Sequence, residues 1–242
     1  WLQNVVAILD LAQKYGIRVD AGILLGNVPL KKNFFSFYYG QRMLIKSPQL
    51  LRYYLENVVA PLIDRIAHHP ALWAIDVLGE ADGLLTEHKG HINEQDIRYV
   101  VSESVQFIKR RAPHIPLTAS TGYWKHVEPR SILKLLGGLG LDFYDVHLYN
   151  QSGDIEKCSE WKKLGRPVLL GEFGLRGPET REQQNIVAKN FVHNAKRCGF
   201  MGALAWVANP GKSPNPEQDR YQNLYSGDGT FKYEFRRVFQ QE

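Results

Sequence analysis

The run Pro167-Val168-Leu169-Leu170-Gly171-Glu172-Phe173-Gly174 is short, apolar and closed by glycine, and it contains a single carboxylate. This composition predicts a buried strand that ends where the backbone turns away. Glu172 is therefore expected at a strand end, where the loops of a parallel sheet present reactive groups. The alternative is that Glu172 is an ordinary polar residue at the end of a strand.

The composition is that of a globular protein with a substantial core. The chain has 242 residues, of which 44% are hydrophobic and 23% are charged, and this length favours one domain. Its net charge of +5 is spread along the chain, and no basic run is interleaved with aromatic residues, which argues against nucleic-acid binding. No apolar stretch reaches about 18 residues, so a membrane-spanning helix is not predicted.

Two cysteines, Cys158 and Cys198, lie 40 positions apart without metal-ligand spacing. A disulfide in an oxidising compartment and two free thiols are both open alternatives. No signal peptide precedes Trp1, so the N-terminus does not indicate a compartment.

Strands and helices alternate along the chain. Apolar patterns predict six strands, over residues 17–24, 71–78, 115–120, 141–147, 167–174 and 201–207. Helices are predicted over 2–15, 48–69, 93–111, 129–136, 153–164, 178–198 and after residue 227, and 27–46 is predicted to be a long aromatic loop. This alternation predicts a parallel α/β fold, either a barrel or a doubly wound sheet. The sequence does not support a nucleotide-binding fold, because no glycine-rich phosphate-binding motif follows a predicted strand.

The predicted strand ends carry carboxylates, aromatic rings and a histidine. These residues are Glu80, Asp82, Ser120, Thr121, Tyr123, Trp124, His147, Tyr149, Glu172, Trp206 and Asn209. Aromatic faces stack on the apolar faces of sugar rings, and paired carboxylates serve as acid/base and nucleophile in glycoside hydrolysis. The pattern therefore indicates sugar chemistry.

Four segments resemble strand motifs of the clan A glycoside hydrolases, particularly glycoside hydrolase family five, the β-1,4-glucanases and β-mannanases. The run Pro70-Ala-Leu-Trp-Ala-Ile-Asp-Val-Leu-Gly-Glu80 resembles the fourth strand, and Gly165-Arg-Pro-Val-Leu-Leu-Gly-Glu172-Phe-Gly resembles the seventh. Asp145-Val-His147-Leu-Tyr149 resembles the sixth-strand His-x-Tyr, and Gly202-Ala-Leu-Ala-Trp206 the eighth-strand motif ending in Trp. The four occur in the family's order, and the resemblance covers roughly residues 1–240.

The resemblance implies a (β/α)8 TIM barrel and a retaining mechanism. Glu80 would be the general acid/base and Glu172 the nucleophile. Such a pair requires carboxyl groups about 5 to 5.5 Å apart, one protonated and one ionised, and their proximity raises the pKa of one of them. Neither a cofactor nor a metal is required for this chemistry.

The resemblance also implies supporting roles. Tyr149 would hydrogen-bond the nucleophile, and His147 would lie against the acid/base or a sugar hydroxyl. Trp206 would form the stacking floor of the central subsite, and Trp124 would extend the cleft. His147 and Trp206 each have an alternative as ordinary core residues.

Two features depart from the family pattern. Gly79 stands where the family has an Asn that hydrogen-bonds the sugar 2-hydroxyl, and Ala81 replaces the usual Pro. Asp82 is either a substitute polar contact or a surface aspartate. In addition, strand 17–24 corresponds to the third barrel strand, so the first two strands are missing. Residues 1–242 are thus expected to form a single catalytic barrel domain that is incomplete at the N-terminus, being a fragment or a barrel completed by another segment or chain.

The leading hypothesis is a retaining hydrolase of β-linked glucan, mannan or related oligosaccharides, and the resemblance favours secretion. Its partner is the oligosaccharide or polysaccharide substrate, with no nucleic acid and no membrane. Gly79 motivates a second hypothesis, a non-catalytic carbohydrate-binding barrel of the same fold. A third is a metal-dependent hydrolase using His147, Asp145 and His88, although no His pair has ligand spacing.

Overall fold

A computed structural model of the chain describes residues 1–25, 35–122, 128–174 and 181–206. The chain divides into two compact units, Trp1–Tyr144 and Asp145–Glu242. Each unit contains parallel strands alternating with helices, as expected for an α/β fold. That residues 1–242 form a single domain stays a prediction.

The N-terminal unit contains seven helices and four short strands within its described residues. The helices are α1 (Leu2–Lys14), α2 (Phe35–Lys46), α3 (Pro48–Tyr54), α4 (Ala60–Ile66), α5 (Gly83–Glu87), α6 (Glu94–Arg111) and α7 (Pro129–Leu136). The strands are β1 (Val19–Gly22), β2 (Leu72–Asp76), β3 (Leu117–Thr118) and β4 (Ser120–Thr121).

Local chemistry accounts for where these helices begin. The Asn93 side chain accepts from the N–H groups of Gln95 and Asp96, and the Asp96 carboxylate accepts from the Asn93 N–H, which forms a capping box at the start of α6. Between α3 and α4 the helical path continues through a π-helical turn, Leu55–Val59. Pro61 follows that turn and has no N–H to donate to an α-helical partner, so the hydrogen-bonding pattern changes there.

The strands of the N-terminal unit are parallel, in the order β1-β2-β3. Gly22 is paired with Asp76, so β1 and β2 end at the same edge. Past β2 the chain stays beside β4, because the Ser120 N–H donates to the Leu78 carbonyl at 3.2 Å and the Ala81 N–H donates to the Ser120 carbonyl at 2.9 Å. These bonds place residues 78–81 at the carboxyl edge of the sheet.

The C-terminal unit is built on three adjacent strands in the order β5 (Tyr144–Tyr149), β6 (Val168–Gly174) and β7 (Gly202–Ala205), of which β5 begins at the last residue of the preceding unit. Strands β6 and β7 are parallel, with Leu169 opposite Gly202. The helices are α8 (Cys158–Trp161) and α9 (Arg181–Cys198). The rings of Phe173 and Phe191 lie 5.3 Å apart in the core between β6 and α9.

Cys158 and Cys198 form a disulfide, with Cα atoms 4.5 Å apart. The alternative of two free thiols is therefore wrong. The bond joins the start of α8 to the end of α9 and ties the two helices of this unit together.

Within the described residues the predicted strands and helices occur in the predicted order, but three segments differ from the prediction. Residues 35–46, predicted to belong to a loop, form α2, and the short helix α5 lies between β2 and α6, where no helix was predicted. The helix predicted over 153–164 is reduced to α8, because Gly153 has φ +74° and its Cα lies against the backbone of Val187 on α9. The helix predicted after residue 227 lies outside the described residues.

No helix in the described ranges is both long enough and apolar enough to cross a membrane.

Candidate active site

The Glu172 site of the C-terminal unit is formed by side chains from two neighbouring strands. Asp145, His147 and Tyr149 are spaced two apart on β5, so they project from the same face. The Tyr149 hydroxyl donates a hydrogen bond to Oε2 of Glu172 on β6. Nδ1 of His147 lies 3.4 Å from the same oxygen, and its Nε2 lies 4.0 Å from Oδ1 of Asp145. One oxygen of the Glu172 carboxylate thus has two contacts from β5.

Burial differs among these side chains. The side chains of His147 and Asp145 are each 8% exposed, whereas that of Glu172 is 21% exposed. The Glu172 carboxylate is therefore held by the buried His147 and the half-buried Tyr149 and is still accessible to a ligand. A strand-end carboxylate that is both oriented and accessible can act as a nucleophile or a base.

Two glycines on β6 permit this close approach. A Cβ at Gly171 would overlap the Asp145 carboxylate, and a Cβ at Gly174 would lie 2.9 Å from the Tyr149 ring. Glycine inside a strand often marks a place where another group approaches the backbone closely. Both glycines belong to the sequence motif around Glu172, but their steric role depends on the position of β5.

The N-terminal unit presents Glu80 just beyond the end of β2. Glu80 is half-buried and has φ +47°, a left-handed conformation that is uncommon for a residue with a side chain. Its N–H donates to Oγ of Ser120 at 2.8 Å, and the Ser120 hydroxyl donates to Oδ2 of Asp76 at 2.7 Å. Strained backbone of this kind occurs often at functional sites.

Asp82 and Gly79, which lie close to Glu80 in the chain, have different surroundings. Asp82 is fully buried, and its Oδ1 accepts from the Gly122 N–H at 3.1 Å. The interpretation of Asp82 as a surface aspartate is therefore wrong, and its contact with substrate stays a prediction. A Cβ at Gly79 would meet Leu25 Cδ1 at 3.4 Å and no atom closer, so the structure has room for a Cβ there.

Asp20 on β1 is a half-buried acid that the sequence interpretation missed. Its Oδ1 has no hydrogen-bond partner among the described residues. Burial, and to a smaller extent the nearby Asp76 carboxylate, raise the pKa of Asp20 from 3.8 to about 7, although a hydrogen bond from the Asp76 N–H partly opposes them. The available signal was the presence of one aspartate inside each of two apolar strands, 17–24 and 71–78.

The other site residues predicted from the sequence lie at different places in the two units or outside the described residues. Trp206 follows β7, is partly exposed, and donates its backbone N–H to the Phe173 carbonyl. Trp124 lies outside the described residues. His88 is buried in the N-terminal unit, with Nε2 at 3.1 Å from Oε1 of Gln41, and burial lowers its pKa. Asp145 and His147 belong to the C-terminal unit, and the metal-dependent hypothesis stays untested.

The order of strands and helices is that of a (β/α)8 barrel, and the described part of the chain corresponds to a partial barrel of this fold. No family model matches the chain. The chain is similar to proteins named β-mannanases, so the resemblance drawn from the sequence motifs is confirmed.

Among these relatives is a mannan endo-1,4-β-mannosidase of Cryptopygus antarcticus, 24% identical over 217 residues, with 73% of this chain and 54% of the relative covered. The chain thus spans about half the length of that relative. The β-1,4-mannanase of the sea hare Aplysia kurodai matches with a TM-score of 0.62 and 20% identity over 85% of this chain and 67% of that protein. The crystal structure of the Cryptopygus antarcticus β-1,4-D-mannanase matches with a TM-score of 0.64 and 18% identity, covering 88% of this chain and 66% of the other.

Proposed function

We propose that the protein is a retaining β-glycoside hydrolase that cleaves mannan, or a related β-linked glucan or oligosaccharide, and that residues 1–242 form one barrel domain. The observation that carries the proposal is the hydrogen bond from Tyr149 to the accessible Glu172 carboxylate at a strand end. The similarity to proteins named mannanases supports mannan as the first substrate to test.

In this proposal Glu172 is the nucleophile. The contacts from Tyr149 and His147 are both made to Oε2, so we assign the attack on the anomeric carbon to Oε1. A donated hydrogen bond stabilises the ionised form of the carboxylate and restricts its rotation. Attack by Oε1 forms a covalent glycosyl–enzyme ester as the bond to the leaving oxygen breaks.

Glu80 is the proposed acid/base. It would protonate the leaving oxygen in the first step and take a proton from the attacking water in the second, which releases the sugar with its configuration retained. Its position just beyond a parallel strand and its left-handed backbone support a functional role. The two carboxylates carry out both steps without a cofactor.

Substrate contacts are assigned to residues near other strand ends. We propose that Trp206 and Trp124 stack against sugar rings and that His147 and Asp82 make polar contacts, directly or by holding neighbouring groups. Aromatic stacking of this kind suits the apolar faces of pyranose rings.

The test is hydrolysis of β-1,4-mannan, β-1,4-glucan and aryl β-glycosides by the wild-type protein and by Glu172→Gln and Glu80→Gln. We expect turnover on at least one substrate, a loss of roughly a thousandfold or more in Glu172→Gln, and a first product of retained configuration by NMR. The matched control is Glu56→Gln, the same change at an exposed helical site, which should keep wild-type rates. Activity that Glu172→Gln leaves unchanged would refute the nucleophile assignment.

Gly79 favours a second candidate, a carbohydrate-binding barrel without hydrolysis, because the usual amide donor next to the acid/base is replaced by hydrogen. In that case calorimetric titration would show oligosaccharide binding that Glu80→Ala leaves unchanged, with no product formed. Turnover by the wild-type protein excludes this candidate.

A further inference from the structure

The backbone of Glu80 adopts a conformation that its own side chain disfavours. Its φ of +47° lies in the left-handed region, where a Cβ crowds the neighbouring carbonyl. In the described part of the chain only one other non-glycine residue, Lys157, has a positive φ. Such a conformation persists only when surrounding contacts impose it.

Those contacts come from Ser120 and Asp76. The Ser120 side chain is fully buried, and its Oγ accepts from the Glu80 N–H at 2.8 Å while its hydroxyl donates to Asp76 Oδ2 at 2.7 Å. The other Asp76 oxygen, Oδ1, accepts from the Leu78 N–H at 2.9 Å. A carboxylate that accepts from a hydroxyl polarises it and strengthens the bond which that hydroxyl accepts in turn.

The peptides on both sides of Glu80 are anchored as well. The Ala81 N–H donates to the Ser120 carbonyl at 2.9 Å, and the Gly83 N–H donates to the Glu80 carbonyl at 2.8 Å. Because a left-handed residue directs its Cα–Cβ bond differently from an extended one, these contacts decide where the Glu80 carboxyl can reach.

We infer that Ser120, held by Asp76, is a positioning residue that fixes the direction of the Glu80 carboxyl. This inference rests on the proposed function of Glu80 as the acid/base. Without the Ser120 hydroxyl, the Glu80 N–H loses its acceptor, and the backbone can relax away from the left-handed conformation. The acid would then be misdirected, although its chemical identity is unchanged.

The kinetic test measures kcat/KM of Ser120→Ala on aryl β-mannosides with good and poor leaving groups. A misplaced acid matters most when the leaving group needs a proton. We therefore expect a loss of about tenfold or more for the poor leaving group and less than twofold for a dinitrophenyl group, with recovery in Ser120→Thr. The control is Thr118→Val, which removes a buried hydroxyl from the adjoining strand β3 that bonds the Phe143 carbonyl instead. Equal losses in both variants, or no loss in Ser120→Ala, would overturn the inference.

The structural test needs no activity. Amide hydrogen exchange at the Glu80 N–H should be slow in the wild-type protein and at least about tenfold faster in Ser120→Ala. If the wild-type protein hydrolyses none of the glycosides, the proposed function fails and exchange alone decides the positioning role. If Ser120→Ala does not fold, the near-isosteric Asp76→Asn replaces it, with a smaller increase expected because the serine oxygen remains. An exchange rate that neither variant changes would refute the inference.

Discussion

Replacing Asp20 by Asn should make the protein more stable above neutral pH. The pKa of Asp20 is raised from its ordinary value of 3.8 to about 7, first by burial and then by the Asp76 carboxylate. The folded protein therefore holds this proton more tightly than the unfolded chain, which ionises near pH 4. Stability is highest below that value, declines as the pH rises through about 7, and levels off once Asp20 is ionised in both states.

The size of this change in the free energy of unfolding follows from the shift in the pKa of Asp20. A pKa of about 7 in place of 3.8 corresponds to an upper limit of about 4 kcal/mol at alkaline pH. Asp20 is partly exposed, so solvent screening reduces this limit. We expect the free energy of unfolding of Asp20→Asn, relative to wild type, to be about 2 kcal/mol higher at pH 8 than at pH 4.5. The amide is close in shape to the carboxyl group and carries no charge at either pH.

Urea unfolding of both proteins at pH 4.5 and pH 8 measures this difference in the free energy of unfolding. Asp64→Asn is the matched control, the same change at a side chain that is 59% exposed and paired with Arg111, and it should stay within about 0.5 kcal/mol of wild type at both pH values. The reasoning fails if Asp20→Asn shows no greater gain at pH 8 than at pH 4.5. It also fails if the Asp20 carboxyl carbon titrates by NMR with a midpoint below pH 5.

Three further outcomes are expected. Tyr149→Phe removes the hydrogen-bond donor to Glu172, so kcat should fall roughly 10- to 100-fold while the fold is retained. An unchanged kcat in steady-state assays would contradict a catalytic role for this bond. Gly171→Ala places a Cβ on the Asp145 carboxylate and should cost about 3 kcal/mol or more in urea unfolding, whereas a loss below about 1 kcal/mol would show that β5 shifts easily. Reducing the disulfide, which closes a loop of 40 positions, should lower the free energy of unfolding by about 2 to 4 kcal/mol, and an unchanged denaturation midpoint would refute this.

Elements with strong local signals were predictable from the sequence. The helix predicted over 129–136 is α7 without change, and the strand predicted over 167–174 is β6 with Glu172 inside it. The first begins with a proline at its first position and ends before a glycine, and the second is an apolar run closed by glycine. These signals act between residues that are close in the chain.

Elements that depend on distant contacts were not predictable. The aromatic segment of α2 has no evident helical start, and its buried residues Gln41 and Ile45 become recognisable only in the folded unit. The region before α8 belongs to the helix predicted over 153–164, yet Gly153 turns left-handed where it meets α9. Tertiary contact outweighs local propensity at such positions.

By itself, the sequence determined that strands and helices alternate, that Glu80 follows one apolar strand and Glu172 lies near the end of another, and that four motifs occur in the order found in the barrel glycoside hydrolases. Only the tertiary structure shows the bonds that hold these two residues in place. Tyr149 bonds Glu172 across 23 positions, and Ser120 bonds the Glu80 N–H across 40. Propensity and capping act over a few neighbouring residues, whereas these contacts depend on which strands lie side by side and in what register.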